Sequence, residues 1–263
     1  MEIVFLGTGG GRFNLVSQLR RTGGFIIRGG LQLHVDPGPG ALAACHDFSI
    51  DPEKTGAVVV THNHIDHLND AALMLEAINC YPDRKRGALI ASGSVIDGDE
   101  YGEKGISSYF MGKLSSSRIA SQGKPVLLGT GKRRAKLIPT PVRHEDRTGF
   151  GFVLEMEGKR VGYTSDTQYF AALPQHFMRC DILIANNLKA WADGVPGHLY
   201  SATTVKLLSA CSPSLCVLSH MGRSLIESGP DAEARKIQKA SGVRTIAATD
   251  GMRIDVRTLK VRK

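Results

Sequence analysis

Short apolar segments separated by glycine-rich turns make up the first half of the chain. Strand patterns cover residues 3–6, 24–28, 31–35, 57–60 and 88–91. The pair Gly29-Gly30 joins two of these strands as a hairpin, and the unbroken apolar run at 57–60 is typical of a central strand covered on both faces. Helical spacing of apolar residues predicts helices over residues 41–46 and 68–79.

The second half repeats this order of strands followed by helices. Strand patterns cover residues 136–139, 151–156, 160–164, 182–185, 215–219 and 243–247. Helical patterns cover residues 201–211 and 231–240, with Ser201 as the predicted N-cap. Because no linker-like segment divides the chain, we interpret residues 1–263 as one domain made of two similar halves. Residues 81–124, rich in glycine, serine and charge, predict a surface excursion that faces the substrate.

The turn after the first strand is rich in glycine. Its sequence, Gly7-Thr8-Gly9-Gly10-Gly11-Arg12, resembles a dinucleotide-binding fingerprint. However, Arg12 stands at the third glycine position, and the pattern predicts no helix after it. We therefore interpret the segment as a simple turn.

The overall composition is that of an ordinary globular protein. Of 263 residues, 42% are hydrophobic and 22% are charged, which suffices for a sizeable core. No apolar run approaches the roughly 18 residues that span a bilayer, and the N-terminus has the pattern of a strand rather than of a signal peptide, so no membrane contact is expected. The five cysteines are widely spread without a C-x-x-C pair, which favours reduced, mostly buried thiols in a cytoplasmic protein.

Positive charge is the main bias of the composition. The formal net charge is +8, and basic residues cluster at Arg84-Lys85-Arg86, at Lys132-Arg133-Arg134 and over residues 257–263. Such a surface attracts anionic partners, including phosphate esters and nucleic acids, with scattered solvated charge as the alternative. Aromatic residues are only 6% of the chain and do not interleave with the basic runs, so base stacking has little support.

The strongest chemical signal is the segment Thr61-His62-Asn63-His64-Ile65-Asp66-His67, directly after the apolar run at 57–60. In a His-x-His pair on an extended segment, both imidazoles point to one face and can hold one ion. Asp66 and His67 follow where the strand gives way to a helix, so they can face a neighbouring point. We interpret the segment as the centre of a metal site that holds two ions.

Three further ligand-type residues stand just beyond predicted apolar strands, namely His144, Asp166 and His220. Taken singly, each is equally consistent with a surface turn. Their shared placement is what ligands converging on one site from several strand ends would show.

Together these residues resemble the metallo-β-lactamase fold superfamily, which includes RNase Z, glyoxalase II and phosphodiesterase members. The resemblance covers nearly the whole chain, and residues 1–10 are similar to the opening strand and glycine turn of the RNase Z-like and cyclic phosphodiesterase-like branch. The signature H-x-H-x-D-H and the third, fourth and fifth motifs are matched by His62, His64, Asp66, His67, His144, Asp166 and His220. The implied fold is of the α+β class, a four-layer αβ/βα sandwich with the metal site at the edge between the two sheets.

The resemblance implies sites for two divalent ions, expected to be zinc, with manganese or iron as alternatives. It assigns the first ion to His62, His64 and His144. It assigns the second ion to Asp66, His67 and His220. Asp166 would bridge the two ions, and Asp36 would support a ligand imidazole through its free N–H.

The chemistry implied is hydrolysis, because two cations about 3.5–4 Å apart share a hydroxide and polarise the scissile group. Asp66 is then a candidate to relay a proton to the leaving group. The segment Gly197-His198-Leu199-Tyr200-Ser201 resembles a Gly-His-Leu-x-Ser element of RNase Z-like and phosphodiesterase members. His198 is therefore a second catalytic candidate, which would contact a phosphate or donate a proton, with a surface turn as the alternative.

Other polar residues have weaker assignments. The segment Arg20-Arg21-Thr22-Gly23-Gly24 is either an anion-binding turn or a solvated one, and Trp191 either lines a substrate pocket or packs. His34, His46 and His176 match no ligand motif and are expected to be structural or surface residues.

The expected function is a dinuclear metal-dependent hydrolase of a phosphodiester, which is a small or cyclic nucleotide or RNA. RNase Z has a His-Glu-Ala-Thr element after the strand at 182–185, whereas this chain has Ala185-Asn186-Asn187-Leu188. Because it also has no evident glycine- and proline-rich arm, a small anionic substrate suits it better than tRNA. The alternatives are hydrolysis of a lactone, thioester or β-lactam, and a non-hydrolytic metal-binding or redox protein. A homodimer is compatible with the sequence.

Overall fold

Two mixed β-sheets form the centre of the protein. The computed structural model describes residues 1–80, 85–191 and 194–262, apart from the side chain of Lys132. The first sheet contains β1 (Glu2–Phe5), β2 (Phe25–Arg28), β3 (Gln32–Val35), β4 (Thr55–Val60), β5 (Ala88–Ala91), β6 (Ser116–Ile119), β15 (Arg253–Asp255) and β16 (Val261–Arg262). Its strand order is β16-β15-β1-β2-β3-β4-β5-β6.

The second sheet is built from the following part of the chain. It contains β7 (Val126–Leu128), β8 (Ala135–Pro141), β9 (Phe150–Met156), β10 (Lys159–Tyr163), β11 (Ile182–Lys189), β13 (Leu215–Ser219) and β14 (Thr245–Ala247), and the short β12 (Leu199–Tyr200) pairs with β11. Its strand order is β14-β13-β11-β10-β9-β8-β7. Since β15 and β16 return to the first sheet beside β1, the two sheets do not correspond to two consecutive halves of the chain.

Helices lie outside the sheets, and several of them cover a sheet face. They are α1 (Gly11–Ser17), α2 (Ala41–Asp47), α3 (Ile65–Leu68), α4 (Ala71–Ile78), α5 (Gly93–Ile96), α6 (Ser108–Gly112), α7 (Leu173–His176), α8 (Ser201–Cys211), α9 (Arg223–Ser228) and α10 (Pro230–Ser241). One apolar core lies between the sheets, a second between the first sheet and α2 and α4, and a third between the second sheet and α7, α8 and α10. The predicted four-layer αβ/βα sandwich is therefore confirmed. Among the described residues, no helix combines the length and the apolar character needed to cross a bilayer.

The unbroken apolar run in β4 follows from this layering. Ala57 and Val59 pack in the core between the sheets, whereas Val58 and Val60 pack in the core beneath the helices. Because successive side chains of a strand point to opposite faces, a strand with a core on both faces must be apolar at every position. The sequence pattern thus identified β4 correctly as a covered, central strand.

Two helix predictions were wrong in detail. Residues 68–79 do not form one helix, because Asp70 separates α3 from α4 and donates its backbone N–H to the carbonyl of Pro37 at 2.9 Å. Ser201 is the first residue of α8 rather than its N-cap, a position held by Tyr200. The absence of a helix after the glycine turn was also a wrong prediction, because α1 begins at Gly11.

The predicted excursion over residues 81–124 is described only in part. Residues 81–84, including Arg84 of the first basic cluster, lie outside the described residues. The remainder contains α5, α6 and β6, and β6 extends the first sheet by pairing in parallel with β5.

Of the five free cysteines, Cys80 is exposed and the other four are buried, as predicted.

Strand direction gathers the loops of the site at one edge. In the first sheet, β3, β4 and β5 are parallel, and in the second sheet β10, β11 and β13 are parallel. β8 runs in the same direction as β10, because both are antiparallel to β9. The carboxyl ends of parallel strands meet at one edge, which is where such folds place their functional loops.

A histidine is buried within the first sheet. His34 on β3 is fully inaccessible, and its Nε2–H donates to the backbone carbonyl of Gly23 at 2.9 Å. Burial lowers the pKa of His34 from 6.5 to about 4. The folded protein therefore keeps this imidazole neutral under conditions in which the unfolded chain protonates it.

The central core should be sensitive to truncation. We expect Leu154→Ala, at a fully buried position on β9, to lower the free energy of unfolding by about 2–5 kcal/mol, because it leaves a cavity between the sheets. The matched control is Leu127→Ala on β7, where the side chain is 59% exposed and the expected change is below about 0.5 kcal/mol. Urea unfolding measures both, and equal losses would contradict the core assignment.

The buried His34 should make stability depend on pH. Below pH 6.5 His34 binds a proton in the unfolded chain, whereas in the folded chain it stays neutral down to about pH 4. The free energy of unfolding therefore falls as the pH falls from 6.5 to 4. Between about pH 7.5 and pH 5, the wild type should lose about 2 kcal/mol relative to His34→Gln, which cannot titrate. Parallel urea titrations at the two pH values test this, and identical pH profiles would refute it.

Candidate metal centre

The signature segment follows the carboxyl end of β4. The chain stays extended at His64 (φ −80°, ψ 144°), and α3 begins at the next residue. His62 and His67 are buried, whereas the side chain of His64 is 38% exposed. The short extended segment followed by a helix turn aims these imidazoles inward from one loop.

The remaining ligand candidates approach from the second sheet. His144 follows β8, Asp166 follows β10 and His220 follows β13 directly. Ser165 and His220 both have φ 53°, a left-handed conformation that few residues other than glycine adopt and that turns the chain sharply at the strand end. The structure thus brings all seven predicted ligand residues together at one edge of the two sheets, with ligand atoms in overlapping groups.

The first group consists of His62, His64 and His144. Their candidate ligand atoms lie within 4.8 Å of one another. Nε2 of His144 is 3.1 Å from Nδ1 of His64, and the rings of His62 and His144 stand at 83° to each other. Three imidazoles with edges converging on one point form the type of nitrogen donor set that holds zinc or a related ion.

The second group consists of Asp66, His67 and His220. Nε2 of His220 lies 3.1 Å from Nε2 of His67 and 3.2 Å from Oδ2 of Asp66. The same oxygen of Asp66 is tied to the glycine turn, because Oδ2 also accepts the backbone N–H of Gly11 at 3.0 Å. This group therefore joins α3, the loop after β13 and the start of α1.

Asp166 lies between the two groups. Its Oδ2 is 3.3 Å from Nε2 of His220, 3.5 Å from Nε2 of His67 and 3.9 Å from Nε2 of His62. One carboxylate oxygen therefore faces members of both groups, which is the placement that a bridging ligand requires.

Hydrogen bonds engage the outward-facing nitrogens of three candidate ligands. Nδ1 of His67 donates to the carboxylate of Asp36 at 2.9 Å, and Nδ1 of His144 donates to a backbone carbonyl at 3.0 Å. Nδ1 of His62 lies 3.1 Å from the hydroxyl oxygen of Thr61, whose own proton goes to Asp36. Because a neutral imidazole carries one N–H, the Nε2 atoms of His62 and His144 present lone pairs to the centre.

These donors fit divalent cations. Among the described residues, the buried Nε2 of His62 has no hydrogen-bond partner, and such an atom is costly unless something binds it. Nδ1 of His64 and Nε2 of His144 lie 3.1 Å apart, a distance at which two lone pairs repel each other unless a proton or a cation lies between them. Imidazole and carboxylate donors together suit zinc, manganese and iron.

Asp36 supports the candidate metal centre through hydrogen bonds. Its carboxylate accepts the backbone N–H of Thr61 at 2.7 Å, the Thr61 hydroxyl at 2.8 Å and the Tyr163 hydroxyl at 2.8 Å, besides the His67 contact. Asp36 also has a left-handed backbone, with φ 49°. Through these bonds one buried carboxylate orients a ligand imidazole and ties the first sheet to the second.

Sequence reasoning missed Asn186. Its side-chain amide donates to Oδ1 of Asp166 at 2.7 Å and to the hydroxyl of Tyr163 at 3.0 Å. With Oδ1 occupied in this way, Oδ2 of Asp166 is left to face the imidazoles. The available signal was the departure of residues 185–188 from the RNase Z pattern, but the predicted strand ended at 185, whereas β11 continues to Lys189.

Asp146 was also missed. Its carboxylate accepts the backbone N–H of Asn63 at 3.0 Å and a hydrogen bond from the hydroxyl of Ser94. Burial favours the protonated form, but the hydrogen bonds from Ser94 and Thr148 lower the pKa of Asp146 below its usual value. Asn63 lies between two ligand imidazoles and Asp146 follows His144 by two residues, so this carboxylate links both arms of the first group.

Charge in the cluster is strongly redistributed. Burial acts against ionisation, but nearby imidazoles hold the pKa values of Asp66 and Asp166 well below their usual range. Burial also opposes protonation of His67, but the surrounding carboxylates raise its pKa well above 6.5. Burial and the neighbouring imidazoles lower the pKa of His62. The carboxylates are therefore anionic and attract positive charge into the centre.

His198 lies beside the centre rather than on a remote turn. Its Nδ1 is 3.6 Å from Oδ2 of Asp166, and its ring is stacked on that of His220 at an interplanar angle of 14°. Burial lowers the pKa of His198 to about 4. With 16% of its side chain exposed, His198 stands between the buried ligands and solvent.

The weaker candidates lie outside the cluster. Arg20 points a guanidinium nitrogen at the carbonyl of Ala248 at 3.3 Å, and Arg21 forms an ion pair with Asp47 at 2.7 Å, so both cations of the predicted anion turn contact the protein itself. Trp191 is 47% exposed. Among the described residues, the candidate metal groups do not include His34, His46 or His176.

Two comparisons of sequence place the chain among known proteins. A model of the beta-lactamase superfamily domain matches residues 32–221. The chain is also 35% identical to the uncharacterized protein MJ1374 of Methanocaldococcus jannaschii over 259 residues, covering 97% of this chain and 95% of that protein. The matched region includes all seven ligand candidates and Asp36.

Solved structures show the same fold. YhfI of Bacillus subtilis, a metallo-beta-lactamase fold protein, superposes with a TM-score of 0.75 at 20% identity, covering 96% of this chain and 97% of its own. A diphosphatase of the PhnP family superposes with a TM-score of 0.68 at 18% identity, covering 97% and 98%. The short form of human tRNase Z superposes with a TM-score of 0.66 at 15% identity, covering 97% and 99%.

Removing the Asn186 amide should weaken metal binding. In Asn186→Leu, the Asp166 carboxylate loses the bond that orients it, and we expect metal affinity to fall about 10- to 100-fold. The matched control is Asn187→Leu, since Asn187 is equally buried on β11 but bonds to Thr204 and to a backbone carbonyl. Competition titration with a chelating dye measures affinity, and urea unfolding corrects for stability. Equal affinity in the two variants would contradict the assignment.

Proposed function

The chain belongs to the beta-lactamase superfamily, and we propose that its single domain, residues 1–263, is a dinuclear metal-dependent hydrolase that cleaves phosphodiesters of the nucleotide class. The observation that carries the proposal is the set of two candidate ligand groups with Asp166 between them.

The proposed assignment divides the candidate ligands between two ions. His62, His64 and His144 would hold one ion, and Asp66, His67 and His220 would hold the other, with Asp166 shared. Zinc is the expected metal, with manganese or iron as alternatives. When bound, such ions supply a water of lowered pKa and polarise the scissile group.

Two side chains have further roles in the proposed reaction. Asp66 has one oxygen engaged by the Gly11 N–H, which fixes the orientation of the carboxylate and leaves the second oxygen to relay a proton to the leaving group. His198 borders the centre on its solvent side, where its imidazole can contact a phosphate oxygen or donate a proton. An open cavity of about 400 Å³ beside His144, lined in part by Arg143 and Gln168, gives a substrate access to this side.

Charge and relatives support a phosphodiester over a neutral carboxylic derivative. The net charge of +8 attracts an anionic substrate towards the site. Two proteins of similar fold bear the names of a tRNase and a diphosphatase, both of which act on phosphate linkages. A small nucleotide suits the chain better than tRNA, because residues 185–188, in the second half of β11, differ from the corresponding element of RNase Z.

Removing one ligand imidazole should abolish metal binding and hydrolysis together. We expect about two metal ions per chain in the wild type and at least about a hundredfold loss of activity in His64→Ala, with loss of one or both ions. His46→Ala is the matched control, since His46 is exposed on α2, away from the cluster. Elemental analysis and hydrolysis of bis(p-nitrophenyl) phosphate measure the two effects. Unchanged activity in metal-free protein would refute the proposal.

The substrate class requires a separate assay. The metal-loaded protein should hydrolyse bis(p-nitrophenyl) phosphate and a cyclic nucleotide, while lactones and thioesters should be poor substrates. Turnover of lactones or thioesters without action on any phosphodiester would overturn the proposed substrate class. It would not contradict the proposed metal centre.

A further inference from the structure

A second cavity lies beside the glycine turn that contacts His220 and Asp66. It has a volume of about 340 Å³, within the range of small-molecule sites. Its walls are the first residues of α1, the end of β11 and the loop that leads from β13 into α9. The substrate assay alone does not identify the ligand of this cavity.

Only glycine backbone separates the cavity from the second ligand group. Gly10 packs so closely on His220 that a Cβ at this position would overlap the imidazole ring. Gly11 has φ +73° and donates its N–H to Asp66. A Cβ at Gly11 would lie 2.8 Å from the Leu188 side chain, which lines the same cavity. The glycine turn is therefore a thin wall that brings the cavity close to the metal ligands.

The rim of the cavity is cationic. Arg12, Lys189 and Arg223 line it together with one acidic residue, Glu227. Glu227 is already engaged, because Arg223 donates to it at 2.8 Å. The ion pairs formed among the described residues do not include Arg12 or Lys189, so two cations remain to attract an anionic ligand.

The cavity also has an exposed aromatic wall. Phe13 lines it and is 77% exposed, although burial of a phenylalanine side chain is worth about 1.5–3 kcal/mol. A planar apolar face beside cations is the surface on which a nucleobase stacks while its phosphate is neutralised. Arg12 and Phe13 are adjacent in sequence, but only the fold places them at a cavity beside the ligands.

We infer that this cavity binds the nucleoside part of a nucleotide diester, with the base against Phe13, while Arg12 and Lys189 attract the negative charge of the phosphate that lies at the metal centre. The inference rests on the proposed function, because it places the scissile phosphate at the metal centre. It names the residues that select a nucleotide over a simple phosphodiester. Arg12, Phe13 and Lys189 thereby determine specificity without holding the metal ions.

A pair of substrates separates this role from general catalysis. Thymidine 5′-(p-nitrophenyl phosphate) carries a nucleoside, and methyl p-nitrophenyl phosphate does not. For Arg12→Ala and for Phe13→Ala, kcat/KM for the nucleoside ester should fall about tenfold through KM, a loss typical of one stacked base or one ionic contact. For the methyl ester it should change by less than about twofold. Val16→Ala is the control, since Val16 is 83% exposed on α1 but does not line the cavity.

Binding without turnover gives an independent measurement. Calorimetric titration of the protein with thymidine 5′-monophosphate should show affinity reduced about tenfold in Arg12→Ala and unchanged in Val16→Ala. If the wild type cleaves neither ester, the proposed function fails, and this titration still tests the cavity. Loss on both esters alike, no change on either, or no nucleotide binding would each overturn the inference. It would also be overturned if Phe13→Ala and Val16→Ala both converted a dimer into monomers without altering KM, since α1 would then be a subunit contact.

Discussion

The buried carboxylate of Asp36 is the contact on which the geometry of the centre depends. It stands just after β3 and accepts hydrogen bonds from Thr61, which follows β4, from Tyr163 at the end of β10, and from the ligand His67. An unpaired buried carboxylate would be strongly destabilising. The four hydrogen bonds therefore fix the positions of the donor groups as well as that of the carboxylate. Since Tyr163 belongs to the second sheet, the same network sets the distance between the sheets where the ligands converge.

Asp36 is connected to Asp166 through a short chain of hydrogen-bonded polar groups. Tyr163 donates to Asp36 and accepts from Asn186, and Asn186 also holds Asp166. The imidazole of His67 and the carboxylate of Asp166 are thus positioned by one connected network, although they lie in different halves of the chain. Such a network costs little to maintain when every member is satisfied, and it loses its effect when one member is replaced by an apolar residue.

The surroundings of the centre divide the tasks of a hydrolase. Four of the candidate ligands, His62, His67, Asp166 and His220, are buried. The groups suited to select a substrate, among them His198, Arg12 and Phe13, lie towards solvent. This division explains how one fold serves many reactions, because the activated water depends on the ligands and the substrate depends on the loops. The glycine turn at Gly10 and Gly11 joins the two layers, since it contacts His220 and Asp66 on one side and the cavity on the other.

The sequence by itself determined the layered fold and the identity of the residues at the strand ends. An unbroken apolar run reports burial on both faces of a strand, and ligand motifs have fixed local spacing, so the sequence revealed both the strand at 57–60 and the cluster from His62 to His67. Tertiary structure alone decided the rest. It showed that Asn186 and Asp146 support the ligands, that the last two strands return to the first sheet, and that Arg12 and Phe13 line a cavity beside the centre. These contacts join residues far apart in the chain, and no local pattern records which distant partner a polar side chain meets when the sheets pack.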